Sequence, residues 1–301
     1  MRKNITLFFM FLVFVVTGFA NGDGKKDSKK PVVTVSILPQ KFFIEQIAGD
    51  FLQVNVILPP GSSPEDFEPT SKQMTELSNS SYYFYIGHLG FEKTWIKKVT
   101  AIAPKVKYIS CSKGLDLLED ECTHGENHAK NKQVHGTDPH IWTSPENVKT
   151  MSRTICAELV KSYPSQKVVF EKNLNAFISK IDTLDNHIRF MFNDSISKAF
   201  MIFHPAMAYF ARDYHIEQYG IEFEGKSPST AHMKKMVDIA RAKKIKTIFI
   251  QSQFETAKAQ SIAREIGGNV EAIDPLAENW LGEMYSIAAK MKKAMHIVTN
   301  E

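Results

Sequence analysis

Short runs of apolar and β-branched residues recur along the chain, separated by stretches whose apolar positions repeat every three to four residues. The short runs have the length and composition of buried strands, and the longer stretches have the period of amphipathic helices. Strands are predicted at 32–38, 52–58, 82–86, 106–111, 200–203, 217–222, 247–250 and 269–273. Their alternation with helices predicts parallel α/β sheets in both halves of the chain.

Residues 144–192 differ from both halves because their pattern is helical throughout. Pro145 suits the first position of a helix, and Pro164 interrupts the run. Shorter helices are predicted at 41–47, at 72–77 and after Ser229, which has the character of an N-cap. The long stretch predicts a rigid helical linker.

These patterns predict an α/β protein in which two parallel-sheet lobes are joined by a long rigid linker helix. The predicted boundaries are an N-terminal lobe at 31–143, the linker at 144–192 and a C-terminal lobe at 193–301. Ligands of such sheets lie at the carboxyl ends of the strands. We therefore expect the functional site in the cleft between the lobes.

The first twenty residues have the pattern of a secretory signal peptide. Arg2 and Lys3 precede an apolar run at 7–16, and Gly18 and Ala20 place small residues around a cleavage site. An uncleaved anchor is the alternative, but ten residues are too few to cross a bilayer, which takes about 20. We expect cleavage after residue 20, a flexible tether at 21–30, and a periplasmic or otherwise extracytoplasmic mature protein.

Export places the three cysteines in an oxidising compartment. Cys111 and Cys122 flank one loop and are the expected disulfide pair, whereas Cys156 falls on an apolar helical face. The alternative is that all three are reduced and buried.

Charge and motifs exclude several classes of function. The net charge of +4 falls to about +2 once the signal peptide is removed, so we expect no nucleic-acid partner. The chain has no HExxH, G-x-S-x-G or Walker sequence, which argues against an enzyme. A metal-dependent hydrolase is the rival and would need an open coordination position. We expect a monomer.

Side chains that bind metals stand at four predicted strand ends or loops. Glu65 lies in an acidic loop with Asp66 and Glu68, and His140 precedes the linker. His204 and Asp274 each follow a strand directly and are each followed by proline, which restricts the backbone there. Each position alone is compatible with an ordinary turn, but if all four meet in the cleft they offer nitrogen and oxygen ligands suited to Zn²⁺, Mn²⁺ or Fe²⁺.

The mature chain also resembles the metal-binding solute-binding proteins of zinc and manganese ABC transporters. The resemblance rests on a series of motifs in the family's order: VSILPQKFFIEQIAGD, PPGSSPEDFEPTSKQM, YIGHLGFEKTW, DPHIWTSPEN, FHPAMAYFARDY, EFEGKSPS, IFIQSQF and EAIDPL. It implies two α/β lobes on a rigid helix, a metal between them, and a membrane permease as partner.

The resemblance implies that His140, His204 and Asp274 are metal ligands. The first ligand position departs from the family, because many relatives have Pro-His where this chain has Pro64-Glu65. If Glu65 takes that place, two imidazoles and two carboxylates hold the metal. Otherwise His88 or a histidine of the loop at 120–136 completes the set; that loop contains His124, His128 and His135.

The ligands predict Zn²⁺ as the bound ion, with Mn²⁺ or Fe²⁺ as the alternative. A histidine-bearing loop and an imidazole at position 204 are features of the zinc-type relatives that the chain resembles. The glutamate at position 65 shifts the ligands toward oxygen, which favours manganese. For the loop at 120–136, a solvated linker is the alternative to a role in gathering metal. For the whole protein, a surface adhesin is the alternative to a metal-binding subunit of a transporter.

Overall fold

The computed structural model describes residues 30–119, 136–193, 198–222, 228–254 and 256–296. The predicted signal peptide, the tether up to residue 29, the three histidines of the 120–136 loop and Cys122 lie outside the described residues. Cys111 is fully buried, and its sulfur accepts a hydrogen bond from Gln40 Nε2 at 3.4 Å. Its pairing with Cys122 stays a prediction.

The N-terminal lobe is a four-stranded parallel sheet flanked by helices. Its elements are β1 (Val32–Val35), α1 (Leu38–Ala48), β2 (Gln53–Val56), α2 (Ser71–Ser78), β3 (Tyr82–Tyr85), α3 (Gly90–Ile102) and β4 (Lys107–Ser110). The strand order is β2-β1-β3-β4. All pairs are parallel, with Val33 beside both Val54 and Tyr82.

The first strand is shorter than its sequence predicts. The apolar run at 32–38 was expected to end at Pro39, but α1 already begins at Leu38 and contains Pro39 in its first turn. Gln40 explains the early end, because its Oε1 accepts the backbone N–H groups of Ser36 at 3.0 Å and Ile37 at 3.3 Å. A side chain thus accepts the N–H groups of these two residues in place of a neighbouring strand.

Two helices separate the lobes, and the second is the predicted long rod. They are α4 (Pro145–Ser162) and α5 (Lys167–Asn193), with a 3₁₀ turn at Pro164–Gln166 where the proline was expected to interrupt. With 27 residues α5 is about 40 Å long. The ring of Phe177, on the buried face of α5, lies near the rings of Phe43 in α1 and Trp280 in the C-terminal lobe, with centroids 6.0 and 6.5 Å away. The helix α5 therefore packs against both lobes.

The C-terminal lobe repeats the plan of the first. Its elements are β5 (Ala199–Ile202), α6 (Ala208–Asp213), β6 (Glu217–Gly220), α7 (Thr230–Ala242), β7 (Thr247–Ile250), α8 (Thr256–Glu265), β8 (Asn269–Ala272) and α9 (Trp280–His296). The order β6-β5-β7-β8 is again entirely parallel. Within the described ranges, no helix combines the length and apolar character needed to cross a membrane.

The shared strand order determines where a ligand can lie. In each sheet the second strand of the lobe lies on one side of the first strand, and the third and fourth strands lie on its other side. The direction of winding therefore reverses at β1 and at β5. Loops separate at such a switch point and leave a crevice beyond the carboxyl ends of the strands. His204 lies in this crevice because β5 ends at Ile202.

Candidate metal centre

Three of the four predicted ligands converge between the lobes. Glu65, His140 and His204 each offer one ligand atom, and these atoms all lie within 4.8 Å of one another. Both histidines are buried, and the Glu65 side chain is 30% exposed. The imidazole side of the cluster is therefore shielded from solvent, whereas the carboxylate side is partly exposed.

Each imidazole is held by its own element. The carbonyl of His204 accepts a hydrogen bond from Gln251 Nε2 at 2.8 Å, and the ring of Phe254 stacks on its imidazole with centroids 4.5 Å apart. The backbone N–H of His140 donates to Asp138 Oδ1 at 2.8 Å, which forms a tight turn before the 3₁₀ segment at Ile141–Thr143. These contacts fix both rings before any ion binds.

The two rings face each other through their Nε2 atoms, which are 3.2 Å apart. Two nitrogens that bind one tetrahedral zinc at 2.0–2.1 Å are about 3.3 Å apart. Glu65 Oε1 lies 3.8 Å from Nε2 of His204, about half an ångström more than the same geometry requires. A small rotation of the Glu65 side chain would complete three corners of a tetrahedron.

A carboxylate binds the opposite nitrogen of each ring. Nδ1 of His140 lies 2.9 Å from Asp138 Oδ1, and Nδ1 of His204 lies 3.0 Å from Glu222 Oε2. A carboxylate accepts hydrogen bonds, so each Nδ1 carries a proton, and in the neutral ring each Nε2 keeps a lone pair that can bind a metal. Two lone pairs that face each other at 3.2 Å repel unless a positive charge lies between them. This carboxylate–histidine pairing is typical of zinc ligands.

The charge of the site favours a cation. Glu222 is 4% exposed, and its Oε1 has no hydrogen-bond partner among the described residues. A buried carboxylate with incomplete hydrogen bonding is costly unless a positive charge lies near it. Together with Asp138 and Glu65, it surrounds the two imidazoles with three carboxylates. The donor set therefore fits a divalent cation.

Asp274, the fourth predicted ligand, is not part of this cluster. It follows β8 as predicted, but its Oδ1 accepts the backbone N–H of Leu276 at 3.1 Å and lies 3.5 Å from Gln253 Nε2. Gln253 also lines the cleft that contains both imidazoles, so Asp274 is adjacent to the site. Its role as a ligand stays a prediction.

His88, the alternative ligand on described residues, does not join the group either. It follows β3 in the N-terminal lobe, where burial and the charge of Lys93 lower the pKa of its imidazole. The three histidines of the 120–136 loop lie outside the described residues. Of the two first-ligand candidates on described residues, Glu65 and His88, Glu65 is thus the one that lies beside the two imidazoles.

The two carboxylates that orient the imidazoles were not predicted from the sequence. Asp138 stands two residues before His140, a spacing short enough to suggest a local turn. Glu222 ends the segment predicted as a strand at 217–222, and β6 is the parallel neighbour of β5. Adjacent parallel strands end at the same sheet edge, so the strand order, once known, places Glu222 beside His204.

Comparison with known proteins finds relatives named for zinc and relatives named for manganese. The high-affinity zinc uptake system protein ZnuA of Bacillus subtilis is 29% identical over 274 residues, which are 88% of this chain and 85% of that protein. The manganese ABC transporter substrate-binding lipoprotein PsaA of Streptococcus mitis is 29% identical over 283 residues, 88% of this chain and 87% of its own length.

A solved structure has the same fold. The crystal structure of a ZnuA deletion mutant with zinc bound matches with a TM-score of 0.81 at 35% identity, over 88% of this chain and 98% of that one. The family model for ZnuA, described as the zinc-uptake complex component A, periplasmic, matches residues 33–294. The match covers both lobes and all four predicted ligand positions, and the chain therefore belongs to the ZnuA family.

Proposed function

We propose that this protein is the extracytoplasmic solute-binding subunit of an ABC importer and that it captures one divalent transition metal per chain, Zn²⁺ in preference to Mn²⁺. The observation that carries the proposal is the pair of Nε2 atoms 3.2 Å apart, each on a ring whose Nδ1 faces a buried carboxylate. Such a pair has the spacing and the protonation of two zinc ligands.

The choice of zinc rests on the imidazoles. For a site that contains nitrogen ligands, the general order of affinity places Zn²⁺ above Mn²⁺, and zinc accepts four ligands in a tetrahedron. Glu65 adds an oxygen ligand and reduces that preference. Relatives named for zinc and for manganese both exist, so the donor atoms of this chain, rather than its family alone, support zinc.

Asp274 supplies the fourth ligand in this proposal. To reach the ion its carboxylate must exchange the N–H of Leu276 and the Gln253 amide for the metal. An ion held by Glu65, His140, His204 and Asp274 has no open position, whereas catalytic zinc keeps one. The site therefore fits capture and delivery rather than catalysis.

The transport role follows from the family and the predicted export signal. The family description is that of a periplasmic component of an uptake complex. A subunit of this kind loads an ion outside the cytoplasm and passes it to a permease in the membrane. The lobes bring ligands from separate elements to one ion, so that a change in their separation would release it.

Competition between the two metals tests the proposal. Purified mature protein is titrated with Zn²⁺ and with Mn²⁺ at equal free concentrations, and the bound metal is measured after desalting. We expect one equivalent of zinc and little manganese. Glu65→His should keep or tighten zinc binding and weaken manganese binding, because it replaces oxygen by nitrogen. Manganese binding in preference to zinc by the unaltered protein would refute the choice of metal.

A further inference from the structure

The loop that carries Glu65 lies directly against the first turn of α3. The backbone N–H of Phe91 donates to the carbonyl of Pro64 at 3.2 Å. Two residues after Glu65, the ring of Phe67 packs edge-to-face on the ring of Phe91, with centroids 5.7 Å apart. The position of Glu65 is thus set by a helix that contributes none of the three clustered ligands.

Gly90 is the residue at the centre of this contact. A Cβ built on Gly90 would lie 2.3 Å from the carbonyl oxygen of Glu65, 3.0 Å from its carbonyl carbon and 3.1 Å from its Cα. These are backbone atoms, so no side-chain rotation relieves the overlap. Because an ordinary carbon–oxygen contact is about 3.3 Å or longer, any side chain at position 90 must displace the loop by roughly 1 Å.

The start of α3 is firmly anchored and cannot easily move instead. The carboxylate of Glu92, which is 2% exposed, accepts the backbone N–H groups of Ile86 at 2.8 Å and Gly87 at 2.6 Å. It also accepts the N–H of Leu89 at 3.4 Å and the hydroxyl of Ser36. The helix is therefore fixed to the ends of β1 and β3, and the loop is the part that yields.

We propose that Gly90 is a positioning residue for Glu65: the missing side chain lets the acidic loop close onto α3 and holds the carboxylate over the two imidazoles. The inference rests on the proposed metal site. His140 and His204 lie on other elements, and their Nδ1 atoms are held by Asp138 and Glu222, which come from outside this loop. A change at Gly90 therefore acts on the metal through Glu65.

A double-mutant cycle separates this positioning role from a general loss of structure. Zinc affinity is measured by chelator competition for the unaltered protein, Gly90→Ala, Glu65→Ala and the double variant. Displaced supporting residues typically lower metal affinity by about 10–100-fold. We expect Gly90→Ala to cause a loss of that order when Glu65 is present and less than about twofold when it is absent.

The matched control is Thr100→Ala, because Thr100 lies on the exposed face of α3 and its hydroxyl donates to the carbonyls of Ile96 and Lys97 in its own helix. This variant should leave affinity unchanged. Phe67→Leu provides a second perturbation without a clash, in case Gly90→Ala fails to fold. It should produce a smaller loss that also disappears in the Glu65→Ala background. Equal losses with and without Glu65, or no loss in Gly90→Ala, would overturn the inference.

Failure of the inference is distinguishable from failure of the proposed function. If the unaltered protein binds no zinc, or if His204→Ala binds as well as the unaltered protein, the metal site itself is wrong. If both tests support the site and Glu65→Ala weakens binding, but Gly90→Ala behaves alike in the two backgrounds, only the positioning role is wrong.

Discussion

Each imidazole of the site is held through its Nδ1 atom. Asp138 and Glu222 hold the two Nδ1 atoms at 2.9 and 3.0 Å, so the two Nε2 atoms point at a common position. A carboxylate on the far nitrogen also makes the ring a stronger donor to a metal. The chemistry of the site therefore depends on two residues that would not themselves touch the ion.

The ligand role of His204 predicts a large effect of its removal. His204→Ala should weaken zinc binding by several orders of magnitude, because binding free energies of about 10–16 kcal/mol are shared among few bonds. Competition with a fluorescent chelator measures the change. His187→Ala is the matched control, because the centroid of that ring lies 5.4 Å from the ring centroid of Tyr285 on α9. This substitution should not affect affinity. An unchanged affinity of His204→Ala would remove this residue from the site.

Glu222→Gln tests the orienting carboxylate without changing its shape. The amide no longer fixes the proton on Nδ1 of His204, so zinc affinity should fall by about 10–100-fold while the fold is kept. Nitrogen-15 NMR of the imidazole should show a change in the tautomer population. Full zinc affinity together with an unchanged tautomer would contradict the orienting role.

At the scale of elements, two indole groups join the segments that precede and follow the cleft. Trp142 Nε1 donates to the carbonyl of Pro275 at 2.8 Å, and Trp280 Nε1 donates to the carbonyl of Trp142 at 2.8 Å. Both side chains are 1% exposed. They tie the turn after His140 to the loop after β8, which carries Asp274.

Trp142→Phe removes one of these hydrogen bonds and leaves a buried carbonyl without its donor. The free energy of unfolding should fall by about 1–3 kcal/mol, measured by urea denaturation. Trp95→Phe is the control, because Trp95 is only half-buried on α3, with Lys98 Nζ 4.5 Å from its ring centroid. If Trp142→Phe lowers the free energy of unfolding no more than Trp95→Phe does, the indole hydrogen bond does not connect the elements.

The strands were predictable from sequence because buried parallel strands are short continuous apolar runs. Each of the eight predicted runs overlaps a strand of the structure. The helices were harder. The N-cap at Ser229 was predicted correctly, but α3 was missed although Phe91, Trp95 and Val99 stand at helical spacing. The stripe of α9 is regular enough to predict that helix, and it was also missed; its buried residues are Trp280, Met284, Ile287, Ala288, Met291 and Met295.

The site was predictable in part for a similar reason. His140 and His204 stand beside prolines at the ends of elements, which is visible in the sequence. Their pairing with Asp138 and Glu222 depends on strand order and side-chain conformation. The offset of Asp274 from the cluster depends on the hydrogen bonds of its own turn, to Leu276 and Gln253, which no local pattern reveals.

At the scale of the whole molecule, two sheets of the same order face each other across the site and share α5. The three clustered side chains come from the loop after β2, the turn before α4 and the end of β5. Only the folded chain brings these segments together. Binding of the ion is therefore coupled to folding of both lobes.

This coupling predicts that zinc raises the melting temperature. At a free zinc concentration a thousand times the dissociation constant, the added stability is about 4 kcal/mol. Differential scanning fluorimetry of metal-free and zinc-loaded protein measures the shift. His140→Ala should lose most of it, whereas Trp95→Phe should keep it. A melting temperature that does not respond to zinc or to manganese would contradict the coupling.

The most direct test of the metal site is a crystal structure of the mature protein loaded with one equivalent of zinc, with anomalous data at the zinc edge. We expect one strong peak per chain, about 2.0–2.2 Å from Nε2 of His140, Nε2 of His204 and a carboxylate oxygen of Glu65, with Asp274 turned toward it. A zinc peak elsewhere, or one that the two imidazoles do not share, would contradict it.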